Sequence, residues 1–154
     1  MLKYLILFGM SMVPILELRG SLIFAAASQI PFYAALPIAV LGNMLPVPFI
    51  LFLFEKALQF FSRRRYIGPL LKRFWKKAEE KAATIGKYEL LGVFLFVAIP
   101  VPGTGAWMGS LVATVLKLKR HKAMLAILAG VVTAGLIVSV LFYLLPDVFA
   151  LLFS

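Results

Sequence analysis

Two ionisable residues, Glu17 and Arg19, lie inside an apolar stretch near the N-terminus. Outside the loops, no other charged side chain interrupts an apolar segment of the sequence. If the surroundings are hydrocarbon, burying either group costs at least about 2.5–3.5 kcal/mol, so such residues are candidates for function. A carboxyl group can exchange a proton, and a guanidinium group can bind an anion. Because positions two apart on a helix do not face each other, at least one of them needs a partner elsewhere.

A second unusual motif, Pro-Val-Pro-Gly-Thr-Gly at positions 100–105, interrupts another apolar stretch. Its two prolines remove backbone donors and its glycines loosen the turn, so a continuous helix is excluded here. We expect a new helix to start around Trp107, with unpaired amides and a positive dipole at its beginning. These amides and Arg19 could converge on an anion such as phosphate or carboxylate.

The composition excludes an ordinary soluble domain and most enzyme classes. Hydrophobic residues make up 63% of the 154 residues, whereas a soluble domain has roughly 45–50%. There is no cysteine, and His121 is the only histidine. Zinc sites and Ser–His–Asp catalysis therefore lack essential parts. We expect a membrane protein that is not an enzyme and that carries no cofactor or metal.

The net charge of +10 could suggest nucleic acid as a partner, but the positions of the charges argue against it. Ten of the sixteen Lys and Arg residues lie between Lys56 and Lys87, and four more lie between Lys117 and Lys122. Basic residues concentrated in loops between apolar segments are signals of membrane topology.

Four apolar stretches cover residues 4–28, 32–54, 90–116 and 123–145. The second and fourth are typical of transmembrane helices. The first and third are broken near their middles, at Pro14 and at residues 100–105, and each half has only about ten residues, too few to cross ~30 Å of hydrocarbon.

The positive-inside rule constrains how these stretches are arranged. If all four crossed the membrane, the basic loops 56–89 and 117–122 would lie on opposite sides. If the third stretch is a re-entrant hairpin, both loops are cytoplasmic. By the same reasoning the charge-free residues 29–31 face outside, and the first stretch enters from and returns to the outer face. Only Lys3 is then left outside, which is a small cost.

The predicted fold is therefore an all-α integral membrane protein with an inverted repeat, in which each half is a re-entrant helical hairpin followed by a transmembrane helix. Residues 1–154 form one membrane domain: 1–55 is the first repeat, 56–89 a basic cytoplasmic connector, and 90–154 the second repeat. A weak internal similarity supports this division, since residues 20–22 resemble 109–111 and residues 39–42 resemble 127–130. Residues 68–87 of the connector have the pattern of a basic amphipathic helix in the headgroup plane, either a simple connector or a gating or lipid-recruiting element.

Two roles remain open for the unusual residues. In one, Glu17 exchanges a coupling proton, and the substrate is bound by Arg19, Gly103, Thr104, Gly105 and Asn43, the last of which lies in the second apolar stretch. In the other, Glu17 and Arg19 hold the two hairpins together through backbone carbonyls and amides, and the glycines only permit a tight turn and close packing.

The motifs at residues 14–20 (Pro-Ile-Leu-Glu-Leu-Arg-Gly) and 100–107 resemble the small multidrug export protein family, itself similar to the DedA-type (VTT-like) membrane proteins. The resemblance covers nearly the whole chain. It implies two opposed re-entrant hairpins, a proton-coupled mechanism and, as in several DedA-type proteins, translocation of anionic lipids. Glu17 matches the acidic position of the first DedA-type hairpin. DedA-type proteins also carry arginines around the second hairpin's proline, whereas residues 100–107 contain none, so Arg19, backbone amides or a partner chain would have to replace them.

The leading functional prediction is a proton-coupled transporter that flips an anionic lipid, such as a polyprenyl phosphate or a phospholipid. The alternatives are a small-molecule multidrug exporter and a non-transporting membrane assembly protein. The expected partners are lipid, protons and, because the chain is small for enclosing a pathway, a second copy of itself. The expected location is the cell (plasma or inner) membrane, as a multi-pass protein.

Overall fold

The computed structural model describes residues 1–63, 88–101 and 103–144, together with residues 68, 69, 72, 73 and 76. The regular secondary structure of these residues is helical, and no strand occurs among them. The amphipathic helix predicted for residues 68–87 lies largely outside the described residues.

Seven α-helices and a closing π-helical turn make up the described part of the chain. The α-helices are α1 (Leu2–Met12), α2 (Glu17–Ala27), α3 (Phe32–Met44), α4 (Val47–Ser62), α5 (Tyr88–Ala98), α6 (Ala106–Val115) and α7 (Arg120–Ser139), and the turn is Val140–Leu144.

The break between α1 and α2 follows from a proline. Val13, which caps α1, has an extended backbone (φ −76°, ψ 130°), as expected for a residue that precedes proline. Pro14 has no amide to continue the helix, and α2 starts three residues later at Glu17. Glu17 itself has a φ of +47°, which is unusual for a residue with a side chain.

The break between α5 and α6 has the same origin. The helix α5 ends at Ala98, two residues before Pro100, and Gly103 has a left-handed backbone with a φ of +86°. Each apolar stretch that the sequence predicted to be interrupted therefore consists of two short helices of 10 or 11 residues.

Contacts at the two ends of the molecule define the direction of the helices. At one end, Lys3 Nζ donates to the Ser28 carbonyl over 3.1 Å, so α1 starts beside the end of α2. At this same end the Tyr143 hydroxyl donates to the Ile30 carbonyl over 2.9 Å. At the other end, Arg120 and Glu55 form an ion pair of 2.6 Å that joins the start of α7 to α4. The segments α3–α4 and α7 are therefore antiparallel.

The same close helix contact occurs in both halves of the chain. A Cβ atom at Gly42 of α3 would lie 2.7 Å from the Phe8 carbonyl oxygen of α1. A Cβ atom at Gly130 of α7 would lie 2.9 Å from the Phe94 carbonyl oxygen of α5. In each half the glycine lets the long helix approach the backbone of the first short helix. These glycines belong to the two segments, 39–42 and 127–130, whose similarity was noted in the sequence.

The ends of α2 and α6 also correspond. Gln29 and Lys117, which follow these ends, both have a left-handed backbone, with φ values of 57° and 53°. In each case the next amide donates back to a carbonyl five residues earlier, at Ala25 or Ala113. This is the Schellman motif, which satisfies carbonyls that a helix end would otherwise leave unpaired.

Two helical segments are long and apolar enough to cross a membrane: residues Phe32–Phe61, which include the bend at Pro46, and residues Arg120–Leu144. Only 28% and 39% of their most apolar windows are buried inside the molecule. Large side chains such as Leu41, Phe49 and Leu125 point outward with 64–65% exposure. A soluble core helix would bury such groups, whereas lipid can cover them.

The glycine contacts generate a stability prediction. We expect Gly130→Ala to lower the free energy of unfolding by about 1–3 kcal/mol, because its Cβ atom would come within 2.7 Å of the Val97 Cβ atom. Gly92→Ala is the matched control on α5, where nothing lies within 4 Å, and alanine should stabilise the helix by about 0.5–1 kcal/mol. Thermal unfolding of the purified protein in detergent measures both, and equal effects would contradict the proposed contact.

Candidate functional site

The two helix breaks meet, and Arg19 joins them. Its Nη2 atom donates to the Ile99 carbonyl over 2.8 Å and to the Val97 carbonyl over 3.3 Å, while Nη1 donates to the Val101 carbonyl. These carbonyls lie at the C-terminal end of α5, where the last turn of a helix leaves oxygens unpaired and the helix dipole is negative. The guanidinium group of α2 therefore caps the end of α5.

Glu17 makes the complementary contact at the start of the next helix. The backbone amide of Trp107, in the first turn of α6, donates to Glu17 Oε1 over 3.3 Å. A carboxylate is favourable at this position because the N-terminus of a helix is positive. The side chain is only 6% exposed. The acid thus lies at the positive end of one short helix and the base at the negative end of the other.

The glycines and the threonine of the second break fit this arrangement. A Cβ atom at Gly105 would lie 1.3 Å from Glu17 Oε2, so the carboxylate occupies the space that any other residue's side chain would need. Thr104 Oγ1 accepts a hydrogen bond from Arg19 Nη2 over 3.0 Å, and it lies 2.8 Å from the carbonyl oxygens of Ile99 and Val101. Gly103 supplies the left-handed turn described above.

Trp107 returns a contact in the opposite direction. Its indole Nε1 donates to the Met12 carbonyl over 3.1 Å, at the C-terminal end of α1. Each half of the chain therefore satisfies a backbone carbonyl at the broken helix of the other half. From the sequence, Trp107 marked only the expected start of a helix. The signal for its role was a lone hydrogen-bond donor on an aromatic ring directly after the break.

Asn43 lies beside this junction. It is 1% exposed, and its Oδ1 atom has no hydrogen-bond partner among the described residues. It faces a cavity of about 10 Å³, large enough for one water molecule at most. The lining of this cavity also includes Glu17, Arg19 and Gly105.

A larger cavity of about 130 Å³ opens on the other side of the same charged residues. It is lined by both breaks and by Glu17 and Arg19: its other lining residues are Pro14, Ile15, Leu16, Gly20 and Gly103. A small polar group that entered this cavity would reach the carboxyl group of Glu17 and the guanidinium group of Arg19.

The structure brings all six predicted site residues to one place, but their partners differ from those expected. Arg19 contacts the carbonyls at the end of α5 rather than the amides at the start of α6. Glu17 accepts a hydrogen bond from one of those amides, that of Trp107, at the position where the sequence predicted a bound anion. These are the contacts of the alternative interpretation, in which the two residues hold the hairpins together. As their spacing predicts, Glu17 and Arg19 do not form an ion pair with each other within the described structure.

Comparison with known proteins gives one match. The model of a family described as "Putative small multi-drug export protein" matches residues 17–137, which begin at Glu17 and include both charged residues and the second break. No curated protein and no solved structure matches the chain.

The geometry of Arg19 generates a second prediction. We expect Arg19→Lys to lower the free energy of unfolding by about 1.5–3 kcal/mol. The planar guanidinium group contacts three carbonyls and the Thr104 hydroxyl, and a single ammonium group cannot contact all four. Arg63→Lys, at an exposed position after α4, is the control and should change little. Thermal unfolding in detergent measures both variants, and an unchanged melting temperature for Arg19→Lys would rule out the capping role.

Proposed function

Because this chain belongs to the putative small multi-drug export protein family, we propose that it is a membrane export protein, and specifically a proton-coupled transporter that flips an anionic lipid such as a polyprenyl phosphate or a phospholipid. The observation that carries the proposal is the junction of the two breaks. A single acid and a single base lie there, next to a cavity of about 130 Å³.

The proposed placement has the α1–α2 and α5–α6 pairs entering the bilayer from opposite sides as an inverted repeat, with α3–α4 and α7 spanning it. The ion pair of Arg120 with Glu55 supports this, because it brings residues 117–122 to the same end as the basic segment after α4. Both basic regions, 56–89 and 117–122, would then be cytoplasmic in a multi-pass protein of the cell membrane.

Charge balance at the junction would couple protonation of Glu17 to binding of an anionic substrate. With Glu17 ionised, the junction carries no net charge and its helix ends are satisfied. Protonation of Glu17 leaves the positive charge of Arg19 unbalanced, and it weakens the hydrogen bond from the Trp107 amide. An anionic headgroup entering beside Arg19 would restore the balance, and the exposed apolar helix faces would accommodate its chains. One proton would then accompany one negative charge.

A second candidate function is export of small molecules, which the description of the family favours. Such a substrate would be cationic if Glu17 bound it directly, and Arg19 close by disfavours that. A non-transporting role in membrane assembly is the third candidate. We propose transport rather than catalysis, with no cofactor, and a homodimer as the form that encloses a pathway.

The role of Glu17 can be tested in proteoliposomes. We expect Glu17→Gln to abolish the dependence of anionic-lipid flipping on an imposed pH gradient, because the amide keeps the acceptor for Trp107 but cannot take up a proton. A fluorescent phosphatidylglycerol analogue with quenching from outside reports the flipping. Glu89→Gln on α5 makes the same change of charge away from both cavities and should keep the dependence. If the Glu17→Gln variant still responds to the gradient, Glu17 is not the proton carrier. Transport of a cationic dye, with no movement of the lipid, would favour the exporter.

The placement in the membrane has its own test, which the cysteine-free sequence makes simple. In intact cells we expect Lys119→Cys to resist a membrane-impermeant thiol reagent and Lys3→Cys to react with it, since these residues would lie at opposite ends. Disruption of the cells should make the first position reactive. Labelling of Lys119→Cys from outside would rule out the opposed arrangement.

A further inference from the structure

A third cavity lies away from the junction of the breaks, between α4, the end of α6 and the start of α7. Its volume is about 430 Å³, more than three times that of the cavity beside Arg19. Its floor includes the apolar side chains of Leu51, Leu58 and Leu118. None of the six predicted site residues contributes to it.

The rim of this cavity is positively charged. Among the described lining residues, Lys117, Lys119 and Arg120 carry positive charges and Glu55 is the one acid. Arg120 is matched by that acid: its Nε and Nη2 atoms both donate to Glu55 Oε2, over 2.9 and 2.6 Å. Lys119 is exposed and has no ion-pair partner among the described residues. The positive charge of Lys119 is complementary to an anion.

The start of α7 adds to this charge. The helix begins at Arg120 with no side-chain cap and no acid in its first turn, which instead carries Arg120, His121 and Lys122. Cations are unfavourable at the positive end of a helix, and no side chain among the described residues caps its first amides. An anion bound at the rim would offset the positive charge of these side chains and accept hydrogen bonds from the first amides of α7.

The position of the cavity indicates the kind of anion. Glu55 lies near the end of the apolar segment Phe32–Phe61, and Arg120 begins the segment Arg120–Leu144. The cavity therefore lies where both candidate spans end, at the level of lipid headgroups. A cationic rim above an apolar floor matches a molecule with an anionic head and hydrocarbon chains.

We infer that this cavity binds an anionic phospholipid from the adjacent leaflet, with its phosphate at Lys119 and the first turn of α7 and an acyl chain along Leu51, Leu58 and Leu118. The site is separate from the junction at Glu17. Binding here does not depend on whether the protein transports lipid, drugs or nothing.

Lipid binding to the purified full-length protein tests the inference. Delipidated protein in detergent is titrated with phosphatidylglycerol or phosphatidylcholine, and the bound lipid is counted by native mass spectrometry. We expect Lys119→Gln to weaken binding of phosphatidylglycerol about fivefold. Lys56→Gln on α4 is the matched control, since it makes the same change of charge at the same end of the molecule but does not line the cavity. It should leave the affinity within a factor of about two.

A second variant tests the floor of the cavity without changing charge. Leu58→Trp should fill part of the space and weaken phosphatidylglycerol binding as well, while the melting temperature of the lipid-free protein reports that the fold is intact. Equal losses with Lys119→Gln and Lys56→Gln would overturn the site in favour of general surface charge. Equal binding of phosphatidylcholine would overturn the anionic headgroup. Binding of inorganic phosphate as tight as that of phosphatidylglycerol would show that a free anion is the ligand and the lipid is not.

Discussion

A helix that ends in apolar surroundings must find partners for its unpaired backbone groups, and the rest of this structure depends on how that requirement is met. Two stretches are broken in their middles, which creates four helix ends. The chain satisfies three of them across the two halves. Arg19 contacts the carbonyls at the end of α5, Glu17 accepts from the first turn of α6, and Trp107 donates to the last carbonyl of α1. Each charge has the sign that its helix end favours.

This arrangement gives the charged residues a structural role and also leaves them beside a cavity. A buried carboxylate and a half-buried guanidinium that only stabilised the fold could be replaced by neutral donors and acceptors at lower desolvation cost. At the junction they also border a cavity and a small void, which is lined by Asn43, whose Oδ1 atom has no partner among the described residues. A change of charge on Glu17 therefore acts on the contact between the halves as well as on whatever enters the cavity. Under the proposed function, binding and conformation would therefore be parts of one equilibrium.

The sequence predicted the helix breaks because proline and glycine act locally: α1 ends before Pro14 and α5 ends before Pro100. It also predicted that at least one of Glu17 and Arg19 would need a partner elsewhere, since positions two apart on a helix do not face each other. It could not predict that Arg19 would contact carbonyls of residues 97, 99 and 101. Backbone groups are the same at every residue, so no side-chain pattern marks them as partners. The large cavity beside α4 was missed for a similar reason, because it is formed by helix ends far apart in sequence.

The absence of a side chain at Gly105 has a mechanical consequence. Glu17 Oε2 lies close to the position that a Cβ atom of residue 105 would take, so the carboxylate occupies the space of the missing side chain. Any side chain at residue 105 would therefore push the Glu17 carboxylate away and separate the two halves of the chain at this point. A relative motion of the halves that keeps this contact must leave residues 17 and 105 nearly fixed, so the helix ends far from the contact move further than residues close to it.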